Sequence, residues 1–294
     1  MQPFIPFPNN CSDDVKNYRY AVSCYADALL SFGPVIIECG NVYRFTPLGL
    51  NMLASMIHNL HLQGREITFT PPENHKVLQY MTDQGFFVEF NFDSVDKPLR
   101  RAHRSRSVML RRMDEFVGSY PVEVADWLSR NSSVPAEAVR DMVEITLTEL
   151  INNVFDHSKS PIGCCICAQA YKDEGKLMLS ITDLGIGFLE SLLPRYSFLQ
   201  SDEAAISYAV KEGVSSRSNR RNRGAGLHIL SDWMKTQHGE LEIISKDGRW
   251  RQLPQGNCEH ETLCFSFPGT CINMHVPIDV LLALNAEREC ERYD

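Results

Sequence analysis

The sequence predicts an α+β protein in two units, a small α/β domain followed by a larger layered one, and three observations carry that reading. The chain has 294 residues, more than one small core accommodates and suited to two packed domains. Strand-like and helix-like patterns alternate between Pro34 and Gly85. Beyond Pro135 a long amphipathic helix runs into a hairpin and two glycine-rich turns.

Composition supports a packed globular chain. Apolar residues make up 44% and charged residues 22%, which argues against a disordered or fibrous protein. The opening Met1-Gln2-Pro3-Phe4-Ile5-Pro6 has neither a basic n-region nor an apolar h-region. No run approaches the roughly 18 apolar residues of a membrane span, so a cytoplasmic protein without a membrane segment is expected. The ten cysteines are scattered through the chain, which fits reduced thiols. The net charge of -8 comes from the second part of the chain: residues 1 to 120 carry 12 basic and 12 acidic side chains, the remainder 17 and 25. Coating of nucleic acid over the whole surface is thereby disfavoured. Against that balance, Lys97, Arg100, Arg101, Arg104, Arg106, Arg111 and Arg112 form a basic stripe with no acid among them.

The first unit spans residues 1–96. Val35-Ile36-Ile37 reads as a strand, and Leu48 to about Gln63 as a helix with Leu50, Leu53, Ala54, Ile57 and Leu60 on one face. Gly64 stops it. Glu66-Ile67-Thr68-Phe69 is a second strand, Pro71-Pro72 a break, and Lys76 to Gln84 a second helix ended by Gly85. This order resembles a STAS domain, the fold of bacterial anti-sigma-factor antagonists, over roughly residues 20 to 92. Thr46-Pro47-Leu48-Gly49-Leu50 stands at that family's phosphoacceptor turn. Pro47 or Leu48 replaces the phosphorylatable serine, so that role does not carry over. Residues 97–131 read as a basic, then amphipathic, helical connector.

The second unit spans residues 132–270, leaving 271–294 as a C-terminal tail. Ser132-Ser133-Val134-Pro135 is a helix-start signal, and the helix to about Phe155 carries Val139, Met142, Val143, Leu147, Leu150, Ile151 and Val154 at core spacing. Glu149, Asn153 and His157 stand four residues apart. Each step of four turns only about 40° about the axis, so the three share one edge. A carboxylate and an amide one turn apart suit hydrated Mg²⁺; for His157 a structural role is the stronger reading. The hairpin from Gly163 to Thr182 turns at Lys172-Asp173-Glu174-Gly175 and leads into Asp183-Leu184-Gly185-Ile186-Gly187. Glycines after a strand-end carboxylate let backbone approach a flat ligand while the carboxylate accepts from an amine. Arg223-Gly224-Ala225-Gly226-Leu227 then opens a helix whose free N–H groups suit phosphate. Cys164 and Cys167, with Cys165 between, make a CxxC whose members face opposite sides of a strand and read as packing residues.

ELINNVFDHS (149–158), DLGIG (183–187) and RGAGLHIL (223–230), in this order, resemble the three nucleotide-binding boxes of the GHKL ATPases, the superfamily of gyrase, Hsp90, histidine kinases, MutL and the anti-sigma serine kinases. His238 to Ile243 and Glu261 to Pro268 are similar to that family's last two strands. The resemblance implies an α/β sandwich with a mixed sheet covered by helices, and ATP and Mg²⁺ as cofactors. It makes Asn153 the Mg²⁺ ligand, Asp183 the adenine reader, Thr262 its neighbour through water, and Glu149 the general base. Gly185 and Gly187 would shape the adenine pocket, and Gly224, Gly226 and Leu227 would lie at the phosphates. Phe188 to Arg223 would be the ATP lid, with Ser215, Ser216, Arg217, Arg220, Arg221 and Arg223 offering hydroxyls and charge.

The absence of a phosphoacceptor histidine helix and of a long C-terminal extension points, within that family, to anti-sigma-type serine kinases. The expected function is a Mg-ATP-binding regulatory protein of bacterial signalling, acting as a serine/threonine kinase or slow ATPase. The alternative is a nucleotide-gated interaction module without turnover. A nucleic-acid-associated ATPase, suggested by the basic stripe alone, ranks last. Expected partners are ATP or ADP and a protein of STAS or sigma-regulatory type; a homodimer is among the arrangements left open.

Overall fold

The computed structural model describes residues 2–92, 107–132, 136–211, 214 and 226–278, and they form two sheets of different kinds. The first unit contains β1 (Phe4–Pro6), β2 (Asn10–Cys11), α1 (Arg19–Leu29), β3 (Val35–Glu38), β4 (Arg44–Phe45), α2 (Pro47–Leu62), β5 (Ile67–Thr70), α3 (His75–Asp83) and α4 (Phe86–Phe90). Strands β1, β3 and β5 run parallel with β3 in the middle, Ile36 facing both Phe4 and Thr68. The expected strand-helix-strand-helix order is present. Pro47 occupies the first turn of α2, where its missing N–H costs nothing, and Asn74 caps α3 by accepting from the N–H groups of Lys76 and Val77.

Helix α2 is buried on every side: each residue from Pro47 to Ile57 is shielded from solvent. A helix that is apolar all round needs partners all round. It has the first unit's own strands on one side and the second unit's sheet on the other.

That second sheet is built from β6 (Ser107–Met113), β7 (Cys164–Tyr171), β8 (Lys176–Asp183), β9 (Glu240–Ser245), β10 (Gly248–Gln252), β11 (Cys258–Thr262) and β12 (Thr270–Pro277). The order across it is β11-β10-β9-β12-β8-β7-β6. Every neighbouring pair is antiparallel, which corrects the expected mixed sheet. Its strands follow one another through hairpins and returns, whereas the parallel strands of the first unit are joined by crossover helices. The far face is covered by α5 (Tyr120–Ser132), α6 (Ala136–Asn153) and α9 (Gly226–Thr236), with α7 (Gly187–Leu192) and α8 (Asp202–Ala209) at one end.

Two boundaries move. Residues 107–113 of the expected helical connector are an edge strand, because Val108, Leu110 and Met113 are buried on it. Its arginines are spent within the protein: Arg111 pairs with Glu123 at 3.4 Å and lies over the Tyr120 ring, and Arg112 pairs with Asp114 at 2.5 Å. Lys97, Arg100, Arg101, Arg104 and Arg106 lie outside the described residues. The expected tail begins with β12, an inner strand between β9 and β8. Its alternation puts Cys271 against the first unit's core and Ile272, Met274 and Val276 against the helices. The same alternation separates Cys164, on the helical face, from Cys165 and Cys167, which face α2. All three are buried free thiols, in agreement with a packing role.

The two units share one core, since Cys165, Cys167, Ile244 and Cys271 of the large sheet pack with the residues of α2. At its centre Asn51 Nδ2 donates to Ser180 O of β8 at 2.6 Å, and both residues are buried. Asn51→Ala should destabilise the protein by about 1–3 kcal/mol, the cost of a lost buried hydrogen bond. Urea unfolding followed by the tryptophans Trp127, Trp233 and Trp250, which lie on α5, α9 and β10 of the large sheet and its helical cover, should report that loss in a single transition, coincident with loss of helical dichroism. Separate transitions for the two signals would contradict the shared core.

Candidate functional site

A cleft open to solvent lies where the end of α6, the end of β8, α7, the start of α9 and β12 converge. Mostly apolar walls with a few polar groups are the usual form of a small-molecule site. The walls include Leu150, Val154, Phe188, Leu192, Leu227 and Ile272; the polar groups include Glu149, Asn153, His157, Asp183 and Thr270.

Helix α6 sets one rim. Val143, Leu147, Leu150, Ile151 and Val154 are buried as their spacing predicts, so Glu149, Asn153 and His157 are left on the cleft edge. The side chains of Val139 and Met142 lie outside the described residues. Past Asn153 the helix continues as a π turn, Val154–Ser158, a feature often found at functional sites. Burial, and then the neighbouring charge of Asp156, raise the pKa of Glu149 above the ordinary carboxylate value.

Asp183 forms the floor. It ends β8 with Cys164 opposite on β7 and Thr270 opposite on β12, and only 5% of it is exposed. Burial pushes its pKa up to about 7, against the opposing pull of the Gly185 N–H, the Lys246 charge and the hydroxyl and N–H of Thr270. The Gly185 bond measures 2.7 Å.

The loop after Asp183 is stitched to its surroundings. Leu184 N–H donates to Ser160 Oγ at 3.1 Å and Ile186 N–H to Ser158 O at 2.7 Å. A Cβ on Gly185 would come within 2.1 Å of Ser158 O, so that glycine is required by the protein's own backbone and not only by a ligand. Gly187 lines the cleft at φ +81, a conformation other residues rarely adopt.

Of the residues expected at the site, Glu149, Asn153, Asp183, Gly187 and Leu227 line this one cleft, and Gly185 touches Asp183 from its edge. Gly226 begins α9, immediately before Leu227. Ser215, Ser216, Arg217, Arg220, Arg221, Arg223 and Gly224 lie outside the described residues.

Thr262 is not at the cleft. It ends the edge strand β11 and its hydroxyl donates to Glu203 of α8. The segment Glu261 to Pro268 is not a strand throughout, because β11 stops at Thr262 and Leu263 and Phe267 turn into the core shared with α2. Thr270, eight residues later, holds the place beside Asp183. Its signal was present in the alternation of Thr270 to Val276, masked by the break at Pro268-Gly269. The lid assignment changes too: α7 and α8 occupy its first part, with Leu192, Leu199, Ala205 and Ile206 buried in the helical core. No model of a known protein family matches the sequence, and a comparison with curated proteins finds no match.

Proposed function

We propose that this cleft binds an adenine nucleotide with Mg²⁺, and that the chain is a GHKL-type regulatory protein working as an ATP-dependent serine/threonine kinase or slow ATPase. The observation that carries the reading is the buried Asp183 carboxylate on the floor of an apolar cleft whose rim holds Glu149 and Asn153.

These residues fit the group. Leu150, Val154, Phe188 and Ile272 offer apolar contact to the faces of a base, and the Asp183 carboxylate accepts a hydrogen bond from an exocyclic amine. Thr270, bonded to Asp183, would share in reading the base through water. Asn153 supplies the oxygen that would hold Mg²⁺, an ion that takes few protein ligands and keeps its waters and the substrate phosphates. A Mg²⁺ held there would neutralise phosphate charge. Glu149, one turn away, has a raised pKa, which makes it a stronger base than a solvated carboxylate and suits it to take a proton from water or a hydroxyl. Pro47 and Leu48 carry no hydroxyl at the turn where a STAS protein has its serine; a separate protein of STAS or sigma-regulatory type is the acceptor partner we favour.

Calorimetry should show Mg-ATP binding by the intact chain, with Asp183→Asn weakening it and GTP binding less well than ATP. Because Asp183 is held at about 7 and accepts from an amine far more strongly as a charged carboxylate than as a neutral acid, affinity should rise with pH through neutrality. From pH 6 to 8 the ionised fraction grows about tenfold, and binding below pH 7 should release a proton. No binding at millimolar ATP, or Asp183→Asn binding as tightly as the wild type, would defeat the assignment.

Glu149→Gln keeps the shape of the rim and should retain Mg-ATP affinity. Turnover, followed as labelled γ-phosphate passing to water or protein, should fall by roughly 10²- to 10⁴-fold. Equal turnover would remove Glu149 from the mechanism. Binding without turnover in the wild type would leave the nucleotide-gated module as the function.

A further inference from the structure

The turn from β9 to β10 is built around Lys246, which lies at φ +53, a conformation seldom adopted outside Gly, Asn and Asp. Neighbours hold it there: its N–H donates to Gly269 O at 3.1 Å and its carbonyl accepts from Phe267 N–H at 2.8 Å. The side chain passes under the loop that follows Asp183. A Cβ on Gly187 would come within 3.1 Å of Lys246 Cγ and 3.3 Å of its Cε. The ammonium then donates to Gly185 O at 2.7 Å, while the adjacent Ser245 Oγ accepts from Phe188 N–H at 2.9 Å. One dipeptide thus fastens both ends of the segment from Gly185 to Phe188. Neither the conformation nor the contacts are those of a surface lysine left to solvent.

Charge adds to the tether. Cys164 stands opposite Asp183 on β7 and Cys271, on the other face of β12, is near enough to feel its charge; burial raises the pKa of both thiols, so they stay neutral. Thr270 and Gly185 contribute hydrogen bonds, Glu149 and His157 line the same cleft from α6 and its π turn, and among the described residues the positive charge acting on Asp183 is that of Lys246. Lys246 is shared with Asp202 at the start of α8, which interacts in turn with Asp247.

We propose that Lys246 is a positioning residue for the cleft: its ammonium, bonded to Gly185 O, locks the loop after β8 in the conformation that presents Asp183 and keeps the Gly185 N–H on that carboxylate. Lys246 does not line the cleft and acts through the loop. The proposal rests on the nucleotide reading for its consequence in binding, but its effect on Asp183 is present in the empty protein.

The Gly185 N–H donates to Asp183, so its amide chemical shift reports the titration of the carboxylate without any ligand. Lys246→Met keeps the apolar stem and removes the charge. Lys246→Asn suits the positive φ but cannot reach Gly185 O, and Lys246→Arg keeps the charge. In both Met and Asn variants the Gly185 titration should move to higher pH, with Lys246→Arg close to wild type. A shift of about one pH unit lowers the ionised fraction at pH 7 about fivefold, and Mg-ATP affinity at that pH should fall by the same factor. A folded Lys246→Met or Lys246→Asn protein with the wild-type titration and affinity would overturn the proposal. If the titration moves but the wild type binds no nucleotide, the nucleotide reading falls and the control of Asp183 by Lys246 stands.

Discussion

The structure depends on α2. A helix without a polar face gains from burial only if both of its sides are covered, and fully burying each Leu or Met on it is worth about 1.5–3 kcal/mol. A three-stranded parallel sheet covers one side; the large antiparallel sheet covers the other. The two units are therefore one body sharing a helix, and the strands beneath that helix, β7 and β8, sit at its centre. The Asn51 bond to Ser180 O adds direction to a contact that apolar packing alone would leave free to slide. Asp183 stands three residues beyond that anchor on the same strand.

The rest of the face is polar, and in an ordered way. Ser180 Oγ donates to Asn273 Oδ1 at 2.7 Å, Asn273 Nδ2 to Glu242 Oε2 at 3.1 Å, and Arg249 bridges Glu242 at 2.7 Å and Glu261 at 3.1 Å. Lys16 of the first unit closes the chain on Glu261 at 2.6 Å. The run crosses β8, β12, β9, β10 and β11 in their spatial order. Burial raises the pKa of Glu242 and the Arg249 charge opposes that rise, so the pair offsets its own desolvation more than it adds stability. Its effect is on register: a strand displaced by one residue would leave the buried Ser180, Asn273 and Glu242 without their partners.

The cleft draws on both arrangements. Its floor is a carboxylate whose ionisation is opposed by burial and supported by a lysine, two amides and a hydroxyl, so its charge is balanced near neutrality. Its rim is the polar edge of a helix whose other residues are core. A group in this condition responds to a ligand's hydrogen bonds far more than a solvated carboxylate does.

Local pattern was enough for the elements whose periodicity is set within a few residues. The α2 and α3 helices, the hairpin of β7 and β8 and the edge shared by Glu149, Asn153 and His157 follow from spacing alone, as does the division of Cys164 from Cys167. Long-range pairing was not available to it. Ser107 to Met113 carries arginines that suit a helix as well as a strand, and only the edge of β7 made it a strand. Thr270 to Pro277 became the inner strand because β8 and β9 each left an open edge, and that choice put Thr270, not Thr262, beside Asp183. The sequence by itself determined which residues are apolar, where helices start and stop, and which side chains could carry chemistry. The tertiary structure alone decided that α2 joins two sheets and that Lys246 reaches the loop of Asp183, because both depend on contacts between segments far apart in the chain.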